Sequence, residues 1–148
     1  AWSGDDTTLY SAGADGQVRA ISPADASATW TLNLPAPVHS VCDVDLGTIA
    51  AGLADGRIAI IFAHDKEPLY WEGHTAAVTK LAAMPASRRF LSAGEDGRVL
   101  LWSLETPGKP VVLAALGSPI RALALSADRA RVAFADRDGH LEVWRLNP

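Results

Sequence analysis

The sequence predicts an all-β protein built from four similar antiparallel sheets. Three observations predict this fold class: one dipeptide returns at a nearly constant interval, short apolar runs flank it each time, and no long run has helical periodicity. The dipeptide is Asp-Gly, found at Asp15-Gly16, Asp55-Gly56, Asp96-Gly97 and Asp138-Gly139. Its intervals of 40, 41 and 42 residues are typical of repeat architectures.

Each Asp-Gly pair joins two apolar runs and is predicted to form the turn of a β-hairpin. Glycine tolerates the positive φ that such a tight turn requires, and runs of this length suit paired strands. The runs on either side of the four turns are 9–12 with 17–21, 48–51 with 57–61, 90–93 with 98–102, and 132–135 with 140–144.

A further apolar run precedes three of the hairpins and another follows three of them, so each period holds four short strands. The preceding runs are 38–44, 78–84 and 120–126, and the following runs are 28–34, 68–73 and 110–116. Four-stranded sheets repeated at this interval are typical of β-propeller blades, which stack so that each buries the faces of its neighbours. We expect blades at 1–34, 35–74, 75–117 and 118–148, with the first and last incomplete.

Residues 73–103 resemble a WD repeat, the unit of one family of β-propellers. The resemblance is carried by Gly73-His74, Val78, Leu81-Ala82, residues 90–94, Asp96-Gly97, Val99 and Leu101-Trp102. In that family a His, a Ser or Thr, an Asp and a Trp form a chain of hydrogen bonds inside a blade. The resemblance implies these roles for His74, Ser92, Asp96 and Trp102, and a buried carboxylate does need such donors.

The other three repeats keep the turn aspartates Asp15, Asp55 and Asp138 but lose other members of the set. Ile21 and Ile61 replace the tryptophan, Ala51 and Phe134 replace the serine, and Leu34 and Leu116 replace the histidine. We therefore expect the complete chain of hydrogen bonds in the third repeat alone. The remaining turn aspartates are expected to bond their own backbone, as Asp side chains commonly do in turns.

The points at which the sequence enters the first repeat and leaves the last one predict that the chain forms part of a larger ring. Aligning the first repeat with the fourth places Ala1 on Ala124 and Asp15 on Asp138, so the sequence starts within an inner strand and stops after a third strand. WD-repeat rings usually close with an N-terminal segment as the last outer strand. The resemblance thus implies the C-terminal half of a ring of about seven or eight blades. Completion by a partner chain, by a second copy, or by self-closure into four blades remains open.

Composition narrows the class of partner. Hydrophobic residues make up 49% of the chain, yet no apolar run is long enough to span a membrane. The net charge of −4 combines −7 over residues 1–74 with +3 over residues 75–148, which disfavours nucleic acid as a ligand. Arg88, Arg89, Arg129 and Arg131 fall in matching links and are either solvated turn residues or a small basic patch for an acidic partner. The excess of arginine over lysine and the abundant alanine favour a GC-rich bacterial gene.

No zinc, haem, phosphate-binding or hydrolase motif occurs in the sequence, so we expect no cofactor and no catalytic residue. The single cysteine, Cys42, lies in an apolar run and is interpreted as a buried hydrophobic residue rather than a reactive thiol. Five aspartates invite comparison with a calcium or acid–base site but lack EF-hand spacing, and solvated loop carboxylates are the simpler interpretation. They are Asp5, Asp6, Asp43, Asp45 and Asp65.

The predicted function is a non-catalytic scaffold that presents loops to a protein or peptide partner. Loops on a rigid scaffold are where binding residues gather, and partners of WD-repeat propellers often dock on the face that carries the Asp-Gly turns. That face would include Thr75, Glu95, Ser118 and Arg137. Two alternatives remain. One is the propeller domain of a larger bacterial enzyme, electron-transfer or transporter protein, and the other is a structural unit whose partner is its own other half.

Overall fold

Alternating apolar runs and turns produce fourteen short strands and one 3-10 turn in the computed structural model, which describes residues 1–63, 65 and 67–146. The strands are β1 (Leu9–Ala12), β2 (Gln17–Ile21), β3 (Ala28–Asn33), β4 (Val38–Asp45), β5 (Thr48–Leu53), β6 (Ile58–Phe62), β7 (Leu69–Trp71), β8 (Val78–Met84), β9 (Arg89–Gly94), β10 (Arg98–Ser103), β11 (Val111–Ala115), β12 (Ile120–Leu125), β13 (Arg131–Asp136) and β14 (Leu141–Arg145). The 3-10 turn spans Pro85–Ser87.

The strands pair only with their neighbours in sequence and form four antiparallel meanders. Sheet 1 is β1-β2-β3, sheet 2 is β4-β5-β6-β7, sheet 3 is β8-β9-β10-β11, and sheet 4 is β12-β13-β14. In sheet 1, Trp2 makes an isolated bridge to Leu9, at the place where the other sheets have their inner strand. The prediction of a β-propeller with four sheets, incomplete at the first and the last, is confirmed.

Consecutive sheets stack face to face, with the inner strands β4, β8 and β12 in contact one after the other. Successive side chains of a strand point to opposite faces, so a sheet between two neighbours needs apolar residues at every position. Sheet 2 shows this directly: Ile49 and Ile61 pack against sheet 1, whereas Ile58 and Ile60 pack against sheet 3. This two-sided burial is why the runs around Asp55-Gly56 are almost uninterrupted in their hydrophobicity.

Sheets 1 and 4 each have only one covered face. Within the described residues, no strand pair, hydrogen bond or ion pair joins sheet 1 to sheet 4. The uncovered face of sheet 4 carries Leu141 and Val143, which are 67% and 60% exposed. Large apolar side chains in such a position mark an association surface.

The four Asp-Gly turns share one backbone geometry. In each turn the glycine N–H donates to the carbonyl three residues earlier, over 3.1 to 3.3 Å, and the glycine φ lies between 76° and 91°. This matches the three-residue hairpin loop in which a tight turn is followed by a left-handed glycine. The conserved spacing of the dipeptide therefore follows from a backbone requirement at the same point of every sheet.

Two of these glycines, Gly56 and Gly139, provide a matched test of crowding at the turns. Their φ angles are 90° and 91°, but a Cβ on Gly56 would lie 2.7 Å from the His74 carbonyl oxygen, whereas a Cβ on Gly139 would meet nothing within 4 Å. Gly139→Ala should lower the free energy of unfolding by about 1–2 kcal/mol, the cost of a left-handed alanine. Gly56→Ala should lose about 1–3 kcal/mol more because of overpacking. Urea denaturation followed by tryptophan fluorescence measures both, and equal losses would contradict the crowding at Gly56.

Candidate interaction face

The Asp-Gly turns and the links into the inner strands lie together at one end of the sheets. We call this end the turn face; it comprises the turns at 13–16, 53–56, 94–97 and 136–139 and the links at 34–37, 73–77 and 116–119. Backbone hydrogen bonds tie each turn to the link before its own inner strand: Ala54 N–H donates to Pro37, Glu95 N–H to Ala77 and Arg137 N–H to Pro119, over 2.8 to 2.9 Å. The face is thus a fixed backbone framework rather than a set of loose loops.

Three turn aspartates bond both the backbone and an arginine of their own sheet. Asp15, Asp55 and Asp96 each accept the backbone N–H of the residue two positions later, over 3.0 to 3.1 Å. Their partners are Arg19 at 3.1 Å, Arg57 at 2.6 Å and Arg98 at 2.8 Å. The carboxylates of these three turns are therefore neutralised within the chain.

The structure brings His74, Ser92, Asp96 and Trp102 into one connected chain of hydrogen bonds in sheet 3. His74 Nδ1 lies 2.9 Å from Asp96 Oδ1, and His74 Nε2 lies 2.6 Å from Ser92 Oγ. The same Ser92 oxygen accepts the indole N–H of Trp102 at 2.7 Å. His74 comes from the link that follows sheet 2, so the chain also fastens that link to sheet 3.

The arrangement requires a neutral His74 with its proton on Nδ1. Ser92 Oγ accepts from the Trp102 indole, and among the hydrogen bonds of the described residues its own hydrogen has no acceptor other than His74 Nε2, which is then unprotonated. Burial of the ring lowers the pKa of His74 below its ordinary 6.5 and outweighs the opposing effect of the Asp96 carboxylate. Burial acts to raise the pKa of Asp96, but the hydrogen bonds from His74 and from the Thr75 and Arg98 amides outweigh it, so that pKa is lowered.

Aromatic packing holds Trp102 in the position where its N–H meets Ser92. The Trp102 ring stacks on Phe90, with centroids 6.0 Å apart, and on Trp71 of sheet 2, with centroids 5.8 Å apart. Gly73 lies against the same ring, and a Cβ there would come within 2.6 Å of it. The Gly-His pair of this repeat therefore serves packing at the glycine and hydrogen bonding at the histidine.

Sheet 4 replaces this network with a different one. Phe134 stands where Ser92 stands in sheet 3, so the indole N–H of Trp144 donates instead to Glu142 at 2.6 Å, and Trp144 remains 39% exposed. The turn carboxylate that bonds the backbone is that of Asp136, not the predicted Asp138: Asp136 Oδ1 accepts the N–H groups of Asp138 and His140, over 2.9 to 3.0 Å. Asp138 itself lies exposed beside Arg137, at 3.8 Å.

The sequence pattern did not predict a role for Asp136, although its place in the repeat could have indicated one. It aligns with Gly94 of sheet 3, a position where a Cβ would clash with His74 and Asp96. Leu116 takes the place of His74 in sheet 4, and Asp136 is buried there with His140 Nδ1 at 2.9 Å from its Oδ2. Burial acts to raise the pKa of Asp136, but hydrogen bonds from His140 outweigh it and lower that pKa, while the same bond raises the pKa of His140.

The residues predicted for partner contact occupy different depths of the turn face. Thr75, Glu95 and Arg137 are exposed, and Glu95 forms an ion pair of 3.2 Å with Arg121 of the neighbouring sheet. Ser118 is 5% exposed, and its hydroxyl has no hydrogen-bond partner among the described residues. The structure thus places three of the four at the surface and one just beneath it.

The cysteine and two of the link arginines considered in the sequence are buried or bonded within the fold. Burial raises the pKa of the Cys42 thiol to about 12, as expected for a packed hydrophobic residue. Arg88 pairs with Asp45 at 2.9 Å and Arg129 donates to the Ala83 carbonyl at 2.6 Å, so two of the four link arginines bind neighbouring strands. In the part of the chain that the structure describes, no cluster of three His, Cys, Asp or Glu side chains could hold a metal ion, and no helix has the length and apolarity to cross a membrane.

Comparison with known proteins identifies the repeat. Residues 66–103 match the family described as WD domain, G-beta repeat. This segment, which contains the third repeat of the chain, is therefore similar to a WD repeat. Its fold also resembles the crystal structure of the computationally designed Ika4 protein, with a TM-score of 0.80 and 22% identity over 95% of this chain and 86% of that one.

Three curated proteins similar to this chain are much longer than it. Human U3 small nucleolar RNA-associated protein 4 homolog is 22% identical over 68% of the chain and 15% of that protein. Mouse telomerase protein component 1 is 29% identical over 79% of the chain and 5% of that protein. Rat echinoderm microtubule-associated protein-like 2 is 29% identical over 78% of the chain and 18% of that protein. The chain therefore spans less than a fifth of the length of each.

Removing the hydroxyl at the centre of the network should destabilise sheet 3 selectively. Ser92→Ala leaves the buried Trp102 N–H and His74 Nε2 without partners, and should lower the free energy of unfolding by about 2–4 kcal/mol. Ser11→Ala, at the equivalent place of sheet 1 where the residue is only half-buried, should change it by less than about 1 kcal/mol. Denaturant unfolding of the two variants measures both changes. If Ser92→Ala lowers the free energy of unfolding by less than about 1 kcal/mol, the hydrogen bonds of Ser92 do not stabilise the sheet as argued.

The pKa values of His74 and His140 should be shifted in opposite directions from the ordinary value of histidine. The folded-state pKa of His74 lies below the unfolded value of 6.5, so its contribution to stability is present above pH 6.5 and is lost as the pH falls. The pKa of His140 is raised by Asp136, so its contribution is present below pH 6.5 and is lost as the pH rises through the folded pKa. In an NMR titration at pH 6.5, His74 should be mostly neutral, with the proton on Nδ1, and His140 mostly charged. The reverse order would show that the assigned networks are wrong.

Proposed function

We propose that this WD-repeat chain is a non-catalytic interaction module whose turn face binds a protein or peptide partner. WD-repeat proteins are interaction scaffolds in general, and the names of two relatives describe association with a small nucleolar RNA and with microtubules. The observation that carries the proposal is the turn face itself. Backbone bonds repeated from sheet to sheet fix it, and Thr75, Glu95 and Arg137 are exposed on it.

One constellation among the described residues resembles a catalytic site, and its surroundings support a structural role instead. Ser92, His74 and Asp96 have the connectivity of a serine hydrolase triad. Ser92 is, however, fully buried, and its oxygen already accepts the Trp102 indole N–H. A nucleophile must reach its substrate, and Ser92 has no exposed surface from which it could do so. We therefore assign the constellation to packing and not to catalysis.

The uncovered face of sheet 4 supports a second part of the proposal: another chain, or a second copy of this one, completes the ring. That face combines Leu141 and Val143 with four alanines of β12 and β13, namely Ala122, Ala124, Ala133 and Ala135. The small residues leave a smooth apolar surface of the kind that a neighbouring sheet covers elsewhere in the molecule. A partner chain is our first choice and a second copy our second.

The length of the relatives favours one alternative: the chain is a domain of a larger protein that carries an active module elsewhere. Each of the three curated relatives is more than five times as long as the aligned region. On this alternative the turn face would still bind a protein, namely another part of the same assembly. The catalytic, electron-transfer or transport role would then belong to residues outside this chain.

The turn-face proposal predicts a selective loss of partner capture. Glu95→Ala combined with Arg137→Ala should reduce recovery of co-purified proteins from a lysate of the source organism by about tenfold. The control is Glu105→Ala combined with Lys109→Ala, which removes the same two charges from the exposed link after β10, at the opposite end of sheet 3. Quantitative mass spectrometry compares the two with the unchanged chain. Equal recovery from all three would contradict the proposal.

Ring completion is tested separately by mass in solution. Light scattering at several concentrations should show a mass above the 15.6 kDa of one chain, either alone for a second copy or only with the captured partner present. Val143→Lys, which places a charge on the uncovered face of sheet 4, should abolish the larger species. If the chain has the mass of one copy both alone and together with the captured proteins, this part of the proposal is wrong.

A further inference from the structure

Among the described residues, sheet 4 has no arginine at hydrogen-bond distance from its Asp-Gly carboxylate, in contrast to the other three sheets. Arg57 and Arg98 directly follow the turn glycines of sheets 2 and 3 and pair with the turn aspartates, and Arg19 does the same for sheet 1 from two residues further on. The equivalent residue in sheet 4 is His140. Its imidazole faces Asp136 and leaves Asp138 without a cation at hydrogen-bond distance.

In sheet 3 the arginine does more than neutralise one carboxylate. The Arg98 guanidinium pairs with Asp96 at 2.8 Å and also donates to the Gly73 carbonyl, at the end of the outer strand of sheet 2. It therefore spans the junction between two sheets at the turn face. The corresponding junction between sheets 3 and 4 is a cleft of about 410 Å³.

The side chains of this cleft are predominantly acidic. Its polar lining consists of Ser118, Asp136, Asp138, His140 and Glu142, three of which are carboxylates. Asp136 is bonded to His140 and to two backbone amides, whereas Glu142 uses one oxygen for the Trp144 indole. The Arg137 side chain is mostly exposed, and its Nε lies 3.8 Å from Asp138 Oδ1, which is too long for a hydrogen bond.

A second and independent feature points to a ligand in the same cleft. Ser118 is one of the residues that line it, is 5% exposed, and has a buried hydroxyl with no hydrogen-bond partner among the described residues. An unpartnered buried hydroxyl carries a desolvation cost that a polar ligand group would relieve. A donor that enters the cleft would meet carboxylate oxygens of Asp138 and Glu142, with Ser118 beside them in the cleft lining.

We propose that the sheet 4 cleft receives an arginine side chain of the protein partner. The inference rests on the proposed function, because it names the chemistry of the partner group. Arginine fits better than lysine because its planar fork donates to two carboxylates at once and can reach a hydroxyl with a third N–H. The incoming guanidinium would occupy the place that Arg98 fills from within the chain in sheet 3.

The direct test uses short blocked peptides on the isotopically labelled full chain. Acetyl-Gly-Arg-Gly-amide should shift the backbone NMR signals of 116–118 and 136–142, acetyl-Gly-Lys-Gly-amide should do so more weakly, and the citrulline peptide should not. Glu142→Gln and Ser118→Ala should each weaken arginine binding by about fivefold to tenfold. Glu105→Gln, an equal charge change at the opposite end of sheet 3, should leave it unchanged. Shifts spread over the whole acidic surface, or equal binding of arginine and lysine peptides, would overturn the assignment.

A self-filling variant separates this inference from the proposed function. His140→Arg places an arginine where sheets 2 and 3 have one, so it should pair with Asp138 and block the peptide while leaving the chain folded. If partner capture is lost in the Glu95→Ala and Arg137→Ala variant but kept in His140→Arg, the turn face binds a partner and the cleft does not receive its arginine. If both variants keep full capture, the proposed function fails as well.

Discussion

The fold depends on the burial of both faces of a β-sheet. A single antiparallel sheet covers neither of its own faces, and each sheet of this chain is apolar on at least one of them. Stacking satisfies the requirement pair by pair: each core is shared by two sheets, and sheets 2 and 3 take part in two cores each. The inner strands can then approach one another closely, and the turns at one end are brought into register.

The turn face follows from that stacking. The link that leaves sheet 3 lies over the turn of that sheet, where Leu116 N–H donates to the Gly97 carbonyl, and it also holds the turn of sheet 4, where Arg137 N–H donates to the Pro119 carbonyl. Polar groups in that crowded layer need partners, and the two networks meet this need in different ways. Sheet 3 imports His74 from the preceding link, and sheet 4 uses Asp136 and His140 from its own turn. The divergence of the repeats is therefore a change of hydrogen-bond partners on a constant backbone.

Most of the fold was predictable because its signals are local. The left-handed glycine and the strand runs on either side lie within about ten residues of each other, and the period then repeats them. The connected set of His74, Ser92, Asp96 and Trp102 was accessible only through the family resemblance, since 22 residues separate His74 from Asp96. The pairing of Glu95 with Arg121 across two sheets and the burial of Ser118 were not accessible. Both depend on how neighbouring sheets are offset, which no pattern in the sequence specifies.

The exchange of Asp138 for Asp136 as the backbone-bonding carboxylate illustrates the same limit. The aspartate of the Asp-Gly pair was predicted to bond the turn backbone in every sheet, and it does so in three of the four. In the fourth, where Leu116 stands in place of the histidine, the carboxylate of Asp136, two residues before Asp138, accepts both amides.

The single covered face of sheet 4 also bears on dynamics. In a stacked array, the local stability of each unit is the sum of its own strands and the interfaces on its two sides, so a terminal unit with one interface opens more readily than an internal one. Amide hydrogens of β12 to β14 are accordingly expected to exchange faster than those of β5 and β9. The acidic cleft lies at the junction of the tightly held sheet 3 and the more loosely held sheet 4. A ligand that bridges the two would be coupled to the ordering of a whole sheet, and its affinity would report on that sheet's local unfolding equilibrium.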